Sequence, residues 1–257
     1  MELIDTHTHL FAEEFDPDRN QIINEAIDKG ISKFFLPNID SNTIEAVLSL
    51  SNEFQGICYP TIGLHPTSVK ENYLEELNLV KEYLDKMQFY GIGECGIDLY
   101  WDKTFLKQQE EAFRFQIELA KQHNLPIIIH VRESFNEVFA IVDEMNDSRL
   151  TGIFHCFSGN YDQAQKIIGY GGFKLGIGGV VTFKNSGLAE IVAKIDLKHL
   201  VLETDSPYLA PVPYRGKRNK SSYLIEIATK IAEVKGIGIE EVALRTTENA
   251  KEIFKIK

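Results

Sequence analysis

A chain of 257 residues and 29.2 kDa is one large domain or two small ones. A (β/α)8 barrel takes about 250 residues, so one domain accommodates the whole length. Hydrophobic residues at 44% and charged residues at 25% exclude a disordered chain. No apolar run approaches the roughly 20 residues of a membrane-spanning helix. Met1 to Asp5 lacks the basic segment and apolar core of a secretory signal. Cys58, Cys95 and Cys156 form no CxxC, so free thiols in a reducing cytoplasm are expected. The net charge of −11 stands against a polyanion partner, because nucleic-acid binders usually carry a basic face. It describes long-range steering, however, and not what one cleft binds.

Short β-rich runs alternate with helical stretches along the chain. The runs are 3–6, 33–37, 57–64, 89–94, 126–129, 152–154, 172–177 and 200–203. Phe34-Phe35-Leu36 and Ile127-Ile128-Ile129 are continuous apolar strings, as in strands buried on both faces of a parallel sheet. Between the fourth and fifth runs, Thr104 to His123 carries Phe113, Ile117 and Ala120 on one helical stripe. Gly30 and Asn124, the latter followed by Pro126, are helix stops. Eight strands alternating with helices predict either a (β/α)8 TIM barrel or a doubly wound open sheet.

Polar residues at the run ends separate the two. His7 and His9 end the first run, His65 the third, Glu94 the fourth, His130 the fifth, His155 the sixth and Asp205 the eighth. They recur at about 28 residues per strand–helix unit, with double gaps where the second and seventh runs are skipped. Such spacing brings them to the C-terminal ends of barrel strands, where active sites of this fold lie. An open sheet would spread them along a line. The barrel is therefore expected.

His7 and His9, two apart on an extended segment, point to one face, with Asp5 on that face one layer deeper and Thr6 and Thr8 turned toward the helices. One such histidine is ordinarily a packing residue. Four histidine positions with Glu94 and Asp205 in one register predict a metal site, and imidazoles suit Zn²⁺, Mn²⁺, Fe or Ni better than Ca²⁺. If the strand ends stay extended, Cys95 and Cys156 point away from it as small core residues. His65 is expected to line the pocket and contact substrate. Glu203 shares the face of Asp205 and is expected to support a ligand. Asp98 is expected to fix its loop, and Gly176, Gly178 and Gly179 to make room. His123 and His199 fall near the opposite rim.

From Ser206 to Ile225 there is no acidic residue, but there are Arg215, Lys217, Arg218 and Lys220 with Tyr208, Tyr214 and Tyr223. A basic, aromatic loop beside a metal centre suits a phosphate backbone and unstacked bases; the plain alternative is a solvated surface loop. Arg132 is a further phosphate or carboxylate partner.

These motifs resemble the TatD family of metal-dependent deoxyribonucleases, among the amidohydrolase-like barrels. The resemblance runs through Asp5-Thr-His-Thr-His9, Gly63-Leu-His-Pro66, Gly93-Glu-Cys-Gly-Ile-Asp98, His130-Val-Arg132, His155-Cys-Phe-Ser-Gly159, Glu203-Thr-Asp-Ser-Pro-Tyr-Leu209 and Arg215-Gly-Lys-Arg-Asn219, with Asn249-Ala in the last helix. It implies one divalent ion held by His7, His9, Glu94 and Asp205, and a second by His130 and His155 with Glu94 bridging. The ions would be Mg²⁺, Mn²⁺ or Zn²⁺. One departure is Lys220-Ser221 where the family usually continues Glu-Pro, which bears on loop detail and substrate preference.

The expected reaction is phosphodiester hydrolysis, as a 3′–5′ exonuclease on single-stranded DNA, with RNA as a further substrate and the protein a monomer. Two ions about 3.5–4 Å apart would clamp the phosphate and activate a water. Asp205 would orient or deprotonate that water, and His65, Arg132 and Arg215 would position phosphate oxygens. Related barrels hydrolyse amides, lactones and phosphotriesters, often with a bridging lysine where this chain has Glu94. An aminoacyl-tRNA ester is a competing substrate, and an inert metal- or nucleic-acid-binding protein the non-enzymatic alternative.

Overall fold

The eight apolar runs become eight parallel strands in a computed structural model that describes residues 1–257. They are β1 (Leu3–Asp5), β2 (Ile31–Pro37), β3 (Cys58–Thr61), β4 (Ile92–Asp98), β5 (Ile127–Arg132), β6 (Gly152–Phe154), β7 (Phe173–Ile177) and β8 (Leu200–Leu202). Regular pairing gives arcs of three and five strands. Backbone hydrogen bonds join the arcs at both seams. Ile62 N–H donates to Gly91 O at 3.1 Å and Gly93 N–H to Ile62 O at 2.8 Å, while Thr6 N–H donates to Leu202 O at 3.0 Å. The result is the expected (β/α)8 barrel.

Seven helices follow the first seven strands. These are α1 (Arg19–Asp28), α2 (Ile44–Glu53), α3 (Tyr73–Lys86), α4 (Leu106–His123), α5 (Phe135–Met145), α6 (Tyr161–Gly169) and α7 (Leu188–Lys194). α8 (Leu224–Lys235) and α9 (Ile239–Phe254) follow β8. The stripe expected in α4 is buried, and Asn124, left-handed at φ 53°, ends that helix as expected. Outward-facing strand residues such as Leu3, Phe34, Ile129, Phe154 and Leu202 pack under the helices in the main core.

The barrel interior holds a separate layer. Ile4, Phe35, Ile128, Ile153 and Val201 meet there, and Ala250, Ile253 and Phe254 of α9 close it from below. Phe254 stacks on Phe35 with ring centroids 3.5 Å apart. The terminal helix is thus the floor of the barrel. Two residues beyond Ile128 and Ile153 on the same faces stand His130 and His155.

This layer corrects the expectation for Asp5. Ile4 points inward, so Asp5 points outward, where its carboxylate accepts from Thr204 N–H at 2.9 Å and Thr204 Oγ1 at 2.6 Å. The chain bends at Thr6 and His7, which turns His7 and His9 inward despite the outward Asp5. Thr8 faces the helices as expected, with its Oγ1 2.6 Å from Ser206 Oγ and 3.2 Å from Ser221 Oγ.

Candidate metal centre

The candidate ligands arrive on five strand ends, His7 and His9 together after β1 and Glu94, His130, His155 and Asp205 on or after β4, β5, β6 and β8. Glu94 needs a break in the pleat: register shifts between Ile92 and Cys95, so both pack outward while Glu94 turns inward. Gly93 permits this at φ +139°, where a Cβ would come within 2.6 Å of Ile128 O.

The side chains converge tightly. His7 Nε2 lies 3.1 Å from Glu94 Oε2, 3.3 Å from His9 Nε2 and 3.8 Å from Asp205 Oδ1. His9 Nε2 is 3.4 Å from Asp205 Oδ1. His130 Nδ1 is 2.6 Å and His155 Nε2 3.7 Å from Glu94 Oε1, and His155 Nε2 is also 3.7 Å from Asp205 Oδ1. The six predicted ligands are therefore brought together, with Glu94 between the two groups. His65 joins them: its Nε2 lies 3.4 Å from Glu94 Oε1, nearer than His155 and farther than His7 and His130.

The donor set suits a divalent cation. Imidazole nitrogens and two carboxylates face one another without a lysine or arginine among them, and the His7 and His155 rings stack at 3.5 Å. Imidazole with carboxylate is the ligand chemistry of Zn²⁺, Mn²⁺ or Fe. Burial opposes ionisation of Glu94, but His155, His65 and His7 outweigh it and hold the carboxyl well below its ordinary range. Asp205 is lowered too, its burial offset by the His9 hydrogen bond and by His155 and His7. His155 rises to about 10 against the pull of burial, through Glu203 and Glu94. His130 rises to about 9, again against burial, through Asp98 and Glu94.

Two carboxylates stand behind the ligands. Glu203, fully buried, puts Oε1 3.0 Å from His155 Nδ1, a close contact not aligned as a hydrogen bond, and accepts from Cys156 N–H. Asp98 accepts from Tyr100 N–H at 2.9 Å and Trp101 N–H at 3.1 Å, fixing its loop as expected. Its other oxygen is 2.9 Å from His130 Nε2, a supporting contact that sequence reasoning missed.

Two glutamines of α4 were missed as well. Gln116 clamps Leu64, accepting from its N–H at 2.7 Å and donating to its O at 3.2 Å. Gln109 does the same for Asp98 at 2.9 Å and 3.3 Å. Seven residues apart, they lie on the buried stripe of the helix. A buried polar pair at helical spacing was the available signal.

Cys95 packs in the core, with Sγ 3.8 Å from Ile128 O. Cys156 departs from expectation. Its φ of 46° is left-handed, so the strand is not extended there, and its thiol turns toward His155 and Asp205 at the cavity wall. Burial raises that thiol well above its usual range, with Asp205 and Glu203 adding to the shift.

A cavity of about 580 Å³ opens over the cluster, lined by His65, Trp101, Arg132, Cys156, Asp205 and Tyr208 among others. Arg132 faces it. Arg215 does not: it is exposed on the β8–α8 loop with its guanidinium 3.7 Å over the Phe183 ring. Two further cations of that loop are tied down. Arg218 donates to Glu14 O and, at 2.6 Å, to Asp18 Oδ2. Lys220 pairs with Glu25 at 2.7 Å, so the charge added by the Lys220-Ser221 departure is neutralised within the fold. Tyr214 and Tyr223 stack on each other at 3.8 Å, leaving Tyr208 as the loop's aromatic ring on the cavity. His199 immediately precedes β8 and His123 ends α4, both away from the cluster as expected.

Comparison with known proteins agrees with this geometry. The family model described as TatD related DNase matches residues 4–255. A Bacillus subtilis relative, an uncharacterized metal-dependent hydrolase YabD, is 41% identical over 99% of each chain. The 3'-5' ssDNA/RNA exonuclease TatD of Pantoea vagans is 29% identical over 99% of this chain and 100% of its own. The crystal structure of YjjV, a TatD homologue from Escherichia coli, superposes with a TM-score of 0.93 at 27% identity, covering 99% of this chain and 98% of its own. With the family model matched over residues 4–255 and a relative 41% identical over 99% of each chain, the chain belongs to the TatD family of metal-dependent hydrolases.

Proposed function

We propose that the protein hydrolyses phosphodiester bonds of single-stranded nucleic acid, as a 3′–5′ exonuclease with DNA as its main substrate. The observation that carries this reading is the set of His7, His9, His130, His155, Glu94 and Asp205 within 3.8 Å of shared carboxylate oxygens, under a cavity faced by Arg132. His7, His9, Glu94 and Asp205 would hold one divalent ion, and His130 and His155 with Glu94 a second. Such ions supply charge to a phosphoryl oxygen and acidify water. Asp205, at the cavity wall, takes the proton of the attacking water as the water oxygen bonds to phosphorus; the P–O3′ bond breaks and the departing 3′ oxygen takes a proton from solvent. His65 and Arg132 hold the non-bridging phosphate oxygens, and orientation of the scissile bond follows from those contacts. Glu203 and Asp98 keep the rings of His155 and His130 in place. Arg215 meets the strand outside the cavity. The Pantoea relative's name, an exonuclease on both single-stranded DNA and RNA, supports this substrate class.

The test is incubation with labelled single-stranded DNA, RNA and charged tRNA, with and without Mg²⁺ or Mn²⁺. Nucleotides released from the 3′ end of DNA, lost in Asp205→Asn, are expected. Deacylation of tRNA without strand cleavage would transfer the site to carboxylic ester chemistry.

A further inference from the structure

Two exposed aromatic side chains have no part in the chemistry above. Tyr100 and Trp101, after β4, are 51% and 69% exposed. Trp101 is the one tryptophan of the chain, and it lines the cavity over Glu94 and Asp205. Exposed apolar surface carries meaning where it adjoins a site, since burial elsewhere would be favourable. The backbone beneath these rings is held, because Asp98 accepts from the N–H of both residues. The same carboxylate contacts His130, so one group sets the height of a candidate ligand and of the aromatic step.

Their faces are not equivalent. The rings meet edge to face at 4.9 Å. The Arg132 guanidinium lies 3.9 Å over the Tyr100 ring and 5.4 Å from the Trp101 centroid, with no carboxylate paired to it. Tyr100 is thus occupied in holding Arg132, while the indole of Trp101 stays open to the cavity. A flat apolar face beside an unpaired guanidinium matches a base attached to its phosphate. The base stacks on the ring and the phosphate meets the fork of N–H donors. A base paired and stacked in a duplex has no free face to offer.

We propose that Trp101, with Tyr100 holding Arg132 beside it, is a stacking subsite for the unpaired nucleobase adjoining the scissile phosphate. The proposal rests on the nuclease reading. Because every base has a π-face, the subsite selects single strands without selecting sequence.

The test has two readouts. Trp101→Ala is expected to raise KM for single-stranded DNA by about 5- to 150-fold, more than it lowers kcat, with Trp101→Phe recovering most of the loss. On an oligonucleotide with an abasic residue at that position, wild type and Trp101→Ala should have equal KM. In the Asp205→Asn protein, an oligothymidylate of about ten nucleotides should quench the lone tryptophan's fluorescence, and the abasic strand should not. Cleavage by wild type with KM unchanged in Trp101→Ala, or without quenching, overturns the subsite and leaves the nuclease reading standing. No cleavage of any nucleic acid overturns the nuclease reading and the subsite with it.

Discussion

Gly176→Ala tests how Glu203 governs the candidate centre. An added Cβ would lie 2.3 Å from Glu203 Oε2 and 2.7 Å from its Cδ. Ordinary contact begins near 3.5 Å, so the carboxylate must move by about 1 Å. Glu203 is fully buried, and its Oε1 is 3.0 Å from His155 Nδ1, so that shift breaks the contact holding the imidazole. Overpacking of this kind costs about 1–3 kcal/mol. Loss of the supporting carboxylate weakens metal binding by about 10- to 100-fold. Gly178→Ala is the control two residues on: its Cβ would come no nearer than 3.7 Å to Glu203 O. Its cost should stay within about 0.5 kcal/mol. Urea unfolding of the metal-free proteins and calorimetric titration with Mn²⁺ measure the two effects. Wild-type stability and affinity in Gly176→Ala, or equal damage from Gly178→Ala, would refute the argument.

Further outcomes follow from the same geometry. In the metal-free protein His130 and His155 have pKa values raised to about 9 and about 10. Raised histidines stabilise the fold fully below their unfolded value of about 6.5, and that contribution should be lost as pH climbs through the folded values. Metal binding at pH 7.5 should therefore release protons from both, counted by calorimetry in buffers of different ionisation enthalpy; no release would contradict the assignment of these residues as ligands. Gln116→Ala strips the Leu64 N–H of its buried acceptor, and a loss of about 1–3 kcal/mol is expected in thermal unfolding, together with a raised KM as His65 shifts. Arg132→Ala should reduce the slope of log K against log salt for single-stranded DNA by about 0.7. Lys220→Ala should leave that slope unchanged, because Glu25 already neutralises the charge.

The sequence by itself determined the alternation of strands and helices, hence the barrel, and the register of polar run ends, hence the convergence of His7, His9, Glu94, His130, His155 and Asp205. Both follow from local periodicity and a near-constant unit length, which the chain carries openly. Only the tertiary structure decided what depends on single backbone angles or on partners distant in sequence. The bend at Thr6 and His7 reverses the face of Asp5 relative to His7, and the left-handed φ of Cys156 turns its thiol into the cavity; parity holds only while a strand stays extended. Arg218 and Lys220 read as free cations until α1 and the segment before it bring Asp18 and Glu25 to them across about 200 residues of chain. Helical spacing marks Gln109 and Gln116 as a polar pair on the buried stripe of α4, but only the packed fold shows that they clamp Asp98 and Leu64, because local pattern does not name a distant backbone partner.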